Sequence, residues 1–346
     1  MKVLVVVLNY NGADETAECL AALAKQTYRD LQLYLVENST HNKPHQIKIL
    51  RDSIAKHKLT VAQFDIQKHN TGFAGGVNLG IKYAMQHDFE AVALLNSDAI
   101  ADKNWLKELA ATLVKSGADA ATGLMLERDG QTIINTADTY SLWGIPEQRD
   151  EGKPRNQASA PGRVFGATGG ATLYKTTIFR KIGLFDEKLF AYDEDIDLAW
   201  RANLAGFNFY YNDKAIVFHA GGTSSNSAFK TRQVFANLPV VVMKDIPREL
   251  IWRVWPRFIL AYLMFFGYKL SKGDGWSALR GIGRSIRFWP HSLSERRRVQ
   301  QLFHKKFSTR TRRQRQLHEI YELLDPRLPF KQIQRVKRFF SRKTNL

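Results

Sequence analysis

A chain of 346 residues with 44% hydrophobic residues and ordinary Gly and Pro usage can bury one large core or two modest ones, which excludes an intrinsically disordered protein. Its single cysteine, Cys19, excludes an intramolecular disulfide and a cysteine-built metal site, and fits a reducing, cytosolic compartment. The net charge of +18 is uneven: residues 1–225 carry 24 Lys+Arg against 26 Asp+Glu, and residues 226–346 carry 27 against 7, so a polyanionic partner, nucleic acid or an anionic lipid surface, is expected for the last third alone.

The opening MKVLVVVLNYNG holds an apolar run, residues 3–8, shorter than the roughly 7 to 15 residues of a signal-peptide core, and reads as a buried first strand. Short β-branched runs then alternate with helical patterns. VLVVVLN is followed by a helix near 16–25, LQLYLVEN by one near 46–57, LTVAQFDIQ by one near 77–87, and AVALLNSD closes the series. That alternation predicts βαβ units on a mostly parallel sheet covered on both faces, an open α/β fold. Ligands in such sheets gather at the carboxyl ends of strands, where Asn9-Tyr10-Asn11-Gly12, Glu37-Asn38-Ser39 and Asn96-Ser97-Asp98 fall.

The segment Asn70-Thr71-Gly72-Phe73-Ala74-Gly75-Gly76-Val77-Asn78 opens a helix with backbone N–H groups accessible to an anion, but fits neither the dinucleotide fingerprint nor the P-loop. Asp98 at a strand end suits a divalent cation that also holds phosphate oxygens; it equally suits a helix cap near Trp105, for which Asp102 is the better candidate. Residues 147–163 read as a mobile surface loop. Tyr192-Asp193-Glu194-Asp195-Ile196-Asp197 crowds four carboxylates before a helix, which raises at least one pKa, as a general base requires, although acids are also common at helix starts. His219 after AIVF forms a plausible metal pair with Asp98 across the crevice.

From residue 226 onward the pattern is helical and basic. Arg280, Arg284 and Arg287 fall on one face of a helix over 276–289, with Leu279, Ile282 and Ile286 on another, and residues 332–340 repeat the theme. Such helices lie at anionic membrane interfaces, or pack an apolar face on the catalytic domain. The uncharged stretch 258–268 falls short of the ~18 residues of a spanning helix. No helix-turn-helix, zinc-finger or RNA-binding motif supports the competing nucleic-acid reading.

The ordered set VLNYNG, VENST, NTGFAGGVNLG, LLNSDA, FGATGGATLY, LFDEKLFAYDEDIDLAWR and HAGGTS resembles the family 2 glycosyltransferases of GT-A fold, most of all their bacterial rhamnosyltransferase-like branch, over about residues 3–225. The resemblance implies a GT-A catalytic domain over 1–225, with a donor-binding half to about 120 and an acceptor and catalytic half beyond it. A basic, mainly helical, membrane-surface region over 226–346 follows. Asn9, Asn11 and Glu37 resemble the donor base and ribose site, and Asn70, Gly72, Phe73 and Asn78 the nucleotide and diphosphate loop. Asn96 and Asp98 stand at the acid-x-acid metal motif, with His219 as second metal ligand for Mn²⁺ or Mg²⁺. Asp195, with Glu194 beside it, stands at the catalytic base, and Gly169, Gly170, Asp193 and Arg201 on the acceptor side.

Asn96 replaces the first acid of the metal motif, and Glu37 the Asp usual in this branch. The implied activity is inverting, metal-dependent transfer from a nucleotide sugar, dTDP-rhamnose or a UDP- or GDP-sugar, to a lipid-linked or cell-surface glycan. The implied place is cytoplasmic, peripheral on the inner face of the cell membrane. A nucleotidyltransferase would use a similar α/β site but release pyrophosphate rather than nucleoside diphosphate.

Overall fold

In the computed structural model, which describes residues 1–219 and 227–327, the apolar runs form the strands that their β-branched content predicts. Chain order begins β1 (Val3–Asn9), α1 (Ala13–Leu23), β2 (Leu31–Glu37), α2 (Lys43–His57), β3 (Val61–Ile66), α3 (Gly72–Gln86), β4 (Ala91–Asn96), β5 (Ala99–Ala101), α4 (Trp105–Ser116) and β6 (Ala120–Leu126). It continues through the short β7 (Ile133–Asn135), β8 (Asp138–Ser141), β9 (Pro146–Gln148) and β10 (Gly162–Val164) to β11 (Ala171–Lys175), α5 (Thr176–Ile182), α6 (Glu194–Leu204) and β12 (Phe209–His219). The α/β fold expected from the alternation is present.

The main sheet runs β10-β12-β6-β11-β4-β1-β2-β3, with β5 paired to β12 and β7 to β6. The strands β4, β1, β2 and β3 are parallel, whereas β11 enters antiparallel between β4 and β6. Val3, Val5 and Val7 of β1, Leu33 and Leu35 of β2, and Trp105 and Leu109 of α4 belong to one buried core, so burial on both faces explains why these strands do not alternate in polarity. Because β2 lies on one side of β1 and β4 on the other, the chain reverses direction at β1, which opens a crevice at the carboxyl edge. Register aligns that edge: Asn9 pairs with Glu37, and Leu8 with Asn96.

Two differences from the sequence reading concern loops. Helix α3 starts at Gly72, so the glycine-rich segment lies inside the helix instead of preceding it. Residues 147–163, expected to be mobile, are tied to the neighbourhood of β7: Gly152 N–H donates to the Ile133 carbonyl at 2.7 Å, and Arg155 N–H to the Gln131 carbonyl at 2.7 Å.

The chain divides into two compact units, Met1–Asp138 with Gln148–Thr223, and Thr139–Glu147 with Ser224–Leu346. The second holds α7 (Ser227–Asp245), α8 (Arg248–Ser271), α9 (Gly275–Arg287), α10 (Trp289–Lys306), α11 (Arg310–Leu323) and β13 (Leu324–Asp325), which pairs with β8 through Leu324 and Tyr140. Phe235 of α7 stacks on Phe265 of α8 with centroids 4.9 Å apart, and Tyr262 donates to the Phe235 carbonyl at 2.7 Å. Helix α9 packs through its small residues Ala278, Gly281 and Ser285, leaving Leu279 and Ile286 exposed. Although the uncharged stretch 258–268 is too short to span, α8 as a whole is long and apolar enough to cross a membrane by length and composition, with a mean hydropathy of 1.3 over its most apolar 18 residues. The helix expected at 332–340 lies outside the described residues.

Candidate active site

The side expected to bind the donor is built by a hydrogen-bonded lattice of the loops after β1 and β2. Asn9 Nδ2 donates to Glu37 Oε2 at 2.5 Å, and Ser39 N–H to Glu37 Oε1 at 2.7 Å. Glu37 is therefore buried with both oxygens engaged, so it shapes the crevice floor from below. Asn11 sits at φ 57° and its Oδ1 accepts from the N–H groups of Thr40 and His41 at 3.0 and 3.1 Å, tying the two loops together. Tyr10 between them is half exposed on the rim.

Asn38, to which the sequence reading gave no separate role, links this lattice to α3. Its Nδ2 donates to Asn70 Oδ1 at 2.9 Å and its Oδ1 accepts from Thr71 N–H at 2.9 Å, while Asn70 Oδ1 also accepts from Gly72 N–H at 2.8 Å. Its signal was its place in the strand-end run VENST. Gly72 must be glycine, because it has φ 74° and a Cβ there would lie 2.4 Å from the Phe190 carbonyl oxygen. Asn78 is placed elsewhere than the diphosphate loop: it is buried on α3, with Nδ2 donating to the Phe185 carbonyl at 2.9 Å and Oδ1 accepting from Phe185 N–H at 3.1 Å. Both ends of its amide serve to hold the 185–187 segment.

At the next strand end, the antiparallel pairing of β12 with β5 sets His219 opposite Ala99 and so beside Asp98. His219 Nε2 lies 3.1 Å from Asp98 Oδ2, both side chains being 31% exposed. The hydrogen bond to Asp98 raises the His219 pKa, burial opposing it. Asp102 instead caps the turn before α4, accepting from Asn104 N–H at 2.9 Å. No cluster of three or more His, Cys, Asp or Glu is assembled for a metal among the described residues. Asp98 and His219 supply one oxygen and one nitrogen, a set that a diphosphate and water would have to complete, and that suits Mn²⁺ better than Mg²⁺.

The wall expected to carry the catalytic base rests on a turn held in an uncommon conformation. Phe190, Tyr192 and Asp193 all have φ near 66°, a region that costs free energy for non-glycine residues and persists only where surroundings enforce it. The Phe190 carbonyl accepts from Ala74 N–H at 3.1 Å, which anchors the turn on α3. The turn delivers Asp195 into the first turn of α6, its Oδ2 accepting from Gly169 N–H at 3.3 Å and its Oδ1 from Ile196 N–H at 2.9 Å. Gly169 lies against Phe73, where a Cβ would be 3.0 Å from the ring, and Gly170 against Asn96, where a Cβ would be 2.9 Å from Nδ2. Asn96 N–H donates to the Gly170 carbonyl at 2.8 Å, so Phe73, Gly169, Gly170, Asn96 and Asp195 form one continuous wall.

Glu194 is buried, and Oε2 meets no hydrogen-bond donor among the described residues. Burial first, then the charge of Asp195, holds its carboxyl well above the usual range. Asp193 adds to that repulsion. Arg201, expected on the acceptor side, is instead buried in a pair with Asp197, Nη2 to Oδ2 at 2.7 Å, and donates to the Ile182 and Leu184 carbonyls at 3.0 and 2.9 Å. Its guanidinium is spent on joining α6 to the end of α5. A further buried acid, Asp138, accepts from Asn135 Nδ2 at 2.8 Å, adds to the repulsion felt by Glu194, and was missed; nothing in the run TAD marks it.

A mostly parallel α/β sheet with its polar residues at the carboxyl edge, one antiparallel strand and a carboxylate on the wall of the crevice is the architecture of a GT-A glycosyltransferase fold. The chain belongs to the family described as glycosyltransferase like family 2, whose model matches residues 2–236. It is similar to the low-salt glycan biosynthesis hexosyltransferase Agl10 of Haloferax volcanii, 26% identical over 149 residues, which are 40% of this chain and 45% of that relative, less than half its length. Among solved structures it resembles S. aureus TarS 1–349 in complex with UDP-GlcNAc, with TM-score 0.53, 18% identity and coverage of 93% and 91% of the two chains. It also resembles the mannosyltransferase PcManGT from Pyrobaculum calidifontis in complex with GDP-Man and Mn²⁺, with TM-score 0.52, 14% identity and coverage of 93% and 86%.

Proposed function

We propose that this protein is an inverting glycosyltransferase that moves a sugar, by preference rhamnose from dTDP-rhamnose and otherwise the sugar of a UDP- or GDP-sugar, to a hydroxyl of a lipid-linked or cell-surface glycan. The observation that carries the reading is the partly buried Asp195 on the same crevice wall as Asn96, two residues from the Asp98–His219 pair. The sugar nucleotides in the TarS and PcManGT structures, and the Mn²⁺ in the second, support a nucleotide-sugar donor and a divalent cation. In the transfer, the acceptor oxygen bonds the anomeric carbon, its proton passes to Asp195, and the bond to the diphosphate oxygen breaks with its electron pair leaving on the phosphate. A single displacement inverts the anomeric centre. Asp98 and His219 would hold the cation, which when bound neutralises charge on the departing diphosphate.

The test is thermal unfolding with dTDP-rhamnose, UDP-GlcNAc and GDP-mannose, each with Mn²⁺ and with chelator, followed by product analysis. One donor at ~100 times its dissociation constant should stabilise the protein by about 2.7 kcal/mol with Mn²⁺ and much less with chelator, and turnover should release nucleoside diphosphate. Pyrophosphate as product, or no response to any nucleotide sugar, would overturn the reading.

The same reading places the enzyme in the cytoplasm on the inner face of the cell membrane, attached through its second unit. Trp252, Ile259, Leu260, Leu263 and Leu270 on α8, and Trp276, Leu279 and Ile286 on α9, are exposed, Trp252 by 83%. Exposed Arg253, Arg257, Arg280 and Arg287 lie among them, whereas Arg284, expected on the basic face, is bonded to Gln233 and Lys269 to Asp274 within the unit, so those two are engaged internally. Each basic residue near an anionic surface contributes about 1 kcal/mol, screened over ~10 Å at 0.1 M salt. Co-sedimentation with vesicles containing phosphatidylserine should exceed that with neutral vesicles and fall in high salt. Equal binding to both, or resistance to alkaline extraction, would replace surface attachment with an apolar contact or a spanning α8.

A further inference from the structure

Helix α3 begins with Gly72, Phe73 and Ala74, and each of the three meets a segment that supports Asp195. Gly72 lies against Phe190, and Ala74 N–H donates to the Phe190 carbonyl at 3.1 Å, so both brace the turn that leads into α6. Phe73 reaches the other support. A Cβ on Gly169 would stand 3.0 Å from Cε1 and 3.1 Å from Cζ of the Phe73 ring, and 3.9 Å from Asp195 Cβ. Gly169 N–H in turn donates to Asp195 Oδ2 at 3.3 Å. A single residue thus separates the aromatic ring from the partly buried Asp195 carboxylate.

The ring has little room to retreat. It meets Phe185 edge-on, with centroids 6.3 Å apart. Phe185 is buried and is itself met by Phe179 at 6.0 Å and Tyr174 at 6.4 Å. The Asn78 amide fixes the Phe185 backbone, Nδ2 donating to its carbonyl at 2.9 Å and Oδ1 accepting from its N–H at 3.1 Å. Next to Gly169, Gly170 is tied to the end of β4, its carbonyl accepting from Asn96 N–H at 2.8 Å. Gly169 does not have a positive φ, so space rather than backbone conformation selects glycine there. Its missing side chain lets a backed aromatic ring close on the loop that holds the carboxylate.

We infer that Phe73 is a positioning residue for the general base: its ring, backed by Phe185, sets the place of Gly169, whose N–H holds the Asp195 carboxylate toward the acceptor hydroxyl. The inference rests on Asp195 being the base. Because Phe73 acts through Gly169, its effect falls on kcat and not on the affinity for the nucleotide sugar.

Exchanging size between the two positions tests this. Carbon atoms pack best at about 3.5–4.0 Å, so the methyl of Gly169→Ala must displace residue 169 or the ring by roughly half an ångström. Misplacing a reacting group by ~1 Å can cost 10²-fold, so Gly169→Ala should lower kcat about tenfold and leave donor affinity within about twofold of wild type. Turnover is read as nucleoside diphosphate released from dTDP-rhamnose, UDP-GlcNAc or GDP-mannose, whichever stabilises the protein, and affinity by calorimetry with the same donor. Phe73→Leu should lower kcat by a smaller factor, again with donor affinity kept. Combined with Gly169→Ala it makes room for the methyl, so the double variant should recover most of the turnover that Gly169→Ala loses. In an Asp195→Asn background, Gly169→Ala should cost little further turnover, since the group it misplaces is gone. Urea unfolding gives a readout without substrate: the double variant should unfold at a higher urea concentration than Gly169→Ala.

A double variant no better than Gly169→Ala in turnover and unfolding would overturn the inference, as would a Gly169→Ala effect equally large with and without the Asp195 carboxylate. If Gly169→Ala does not fold, Phe73→Leu decides alone: lowered kcat with unchanged donor affinity upholds the role, and weakened donor affinity with kcat intact defeats it. Loss of turnover in Asp195→Asn but not in Gly169→Ala overturns the inference and leaves the base reading standing. Wild-type turnover in Asp195→Asn removes the base reading and the inference with it.

Discussion

Asp195→Asn is expected to bind the nucleotide sugar as wild type does and to lose turnover by ~10²-fold or more, the usual loss for a general base. The asparagine oxygen can keep the N–H of Gly169 or Ile196, so the turn and the wall beside Gly169 should persist. What it cannot do is accept the acceptor hydroxyl's proton. The variant should also unfold at a higher urea concentration near neutral pH, because Glu194, Asp138 and Asp193 all feel the negative charge of Asp195 or of each other in a buried site. Calorimetric donor binding, product release and urea unfolding measure the three expectations. Near-normal turnover would remove Asp195 from the mechanism.

The first part of the α/β sheet was legible because its information is local. β-branched runs of six or seven residues, each ending in Asn, Glu or Asp, state both the strand and the edge to which its polar end belongs, and the parallel register of β1 with β2 and β4 then aligns Asn9, Glu37 and Asn96. Helix starts were less legible. α3 was expected from about residue 77, since glycine disfavours helix interiors, yet Gly75, Gly76 and Gly80 are required inside it because Leu8 and Val6 of β1 and its own Thr71 approach so closely that a Cβ has no room. The antiparallel entry of β11 has no local signature, because strand direction is decided by partners far away in sequence.

The site divides in the same way. The closeness of Asp98 and His219 was readable from two strand ends, and the place of Asp195 in the first turn of α6 from carboxylates crowded before a helical pattern. The burial of Asp138 was not, because it comes from Asn135 and from Gly166, which packs on a helix that begins 56 residues after Asp138. Asn78 and Arg201 were misplaced for a related reason: a polar residue inside a motif looks functional until its partners are seen, and both bond the backbone of the segment that leads from α5 to the turn before α6.

Arg201→Ala is therefore expected to act on stability first. Its guanidinium makes two hydrogen bonds to Asp197 Oδ2, at 3.0 and 2.7 Å, and others to the carbonyls of Ile182, Gly183 and Leu184, acceptors left unpaired by the helix at and just past the end of α5. Removing the arginine leaves the buried Asp197 without its cation and those carbonyls without their donor, a change of about 3–5 kcal/mol. Arg201→Lys should recover only part of this, since one ammonium cannot reproduce a planar fork that bonds a carboxylate and three carbonyls at once. Arg201→Met combined with Asp197→Leu should be less destabilised than Arg201→Ala alone, because no buried charge is left over. Urea unfolding orders the three variants. The loss should reach catalysis indirectly, because residues 184–193 run from the α5 end that Arg201 holds to the turn that presents Asp195, so kcat should fall more than acceptor KM rises. A variant with wild-type unfolding and a raised acceptor KM would instead return Arg201 to the acceptor site.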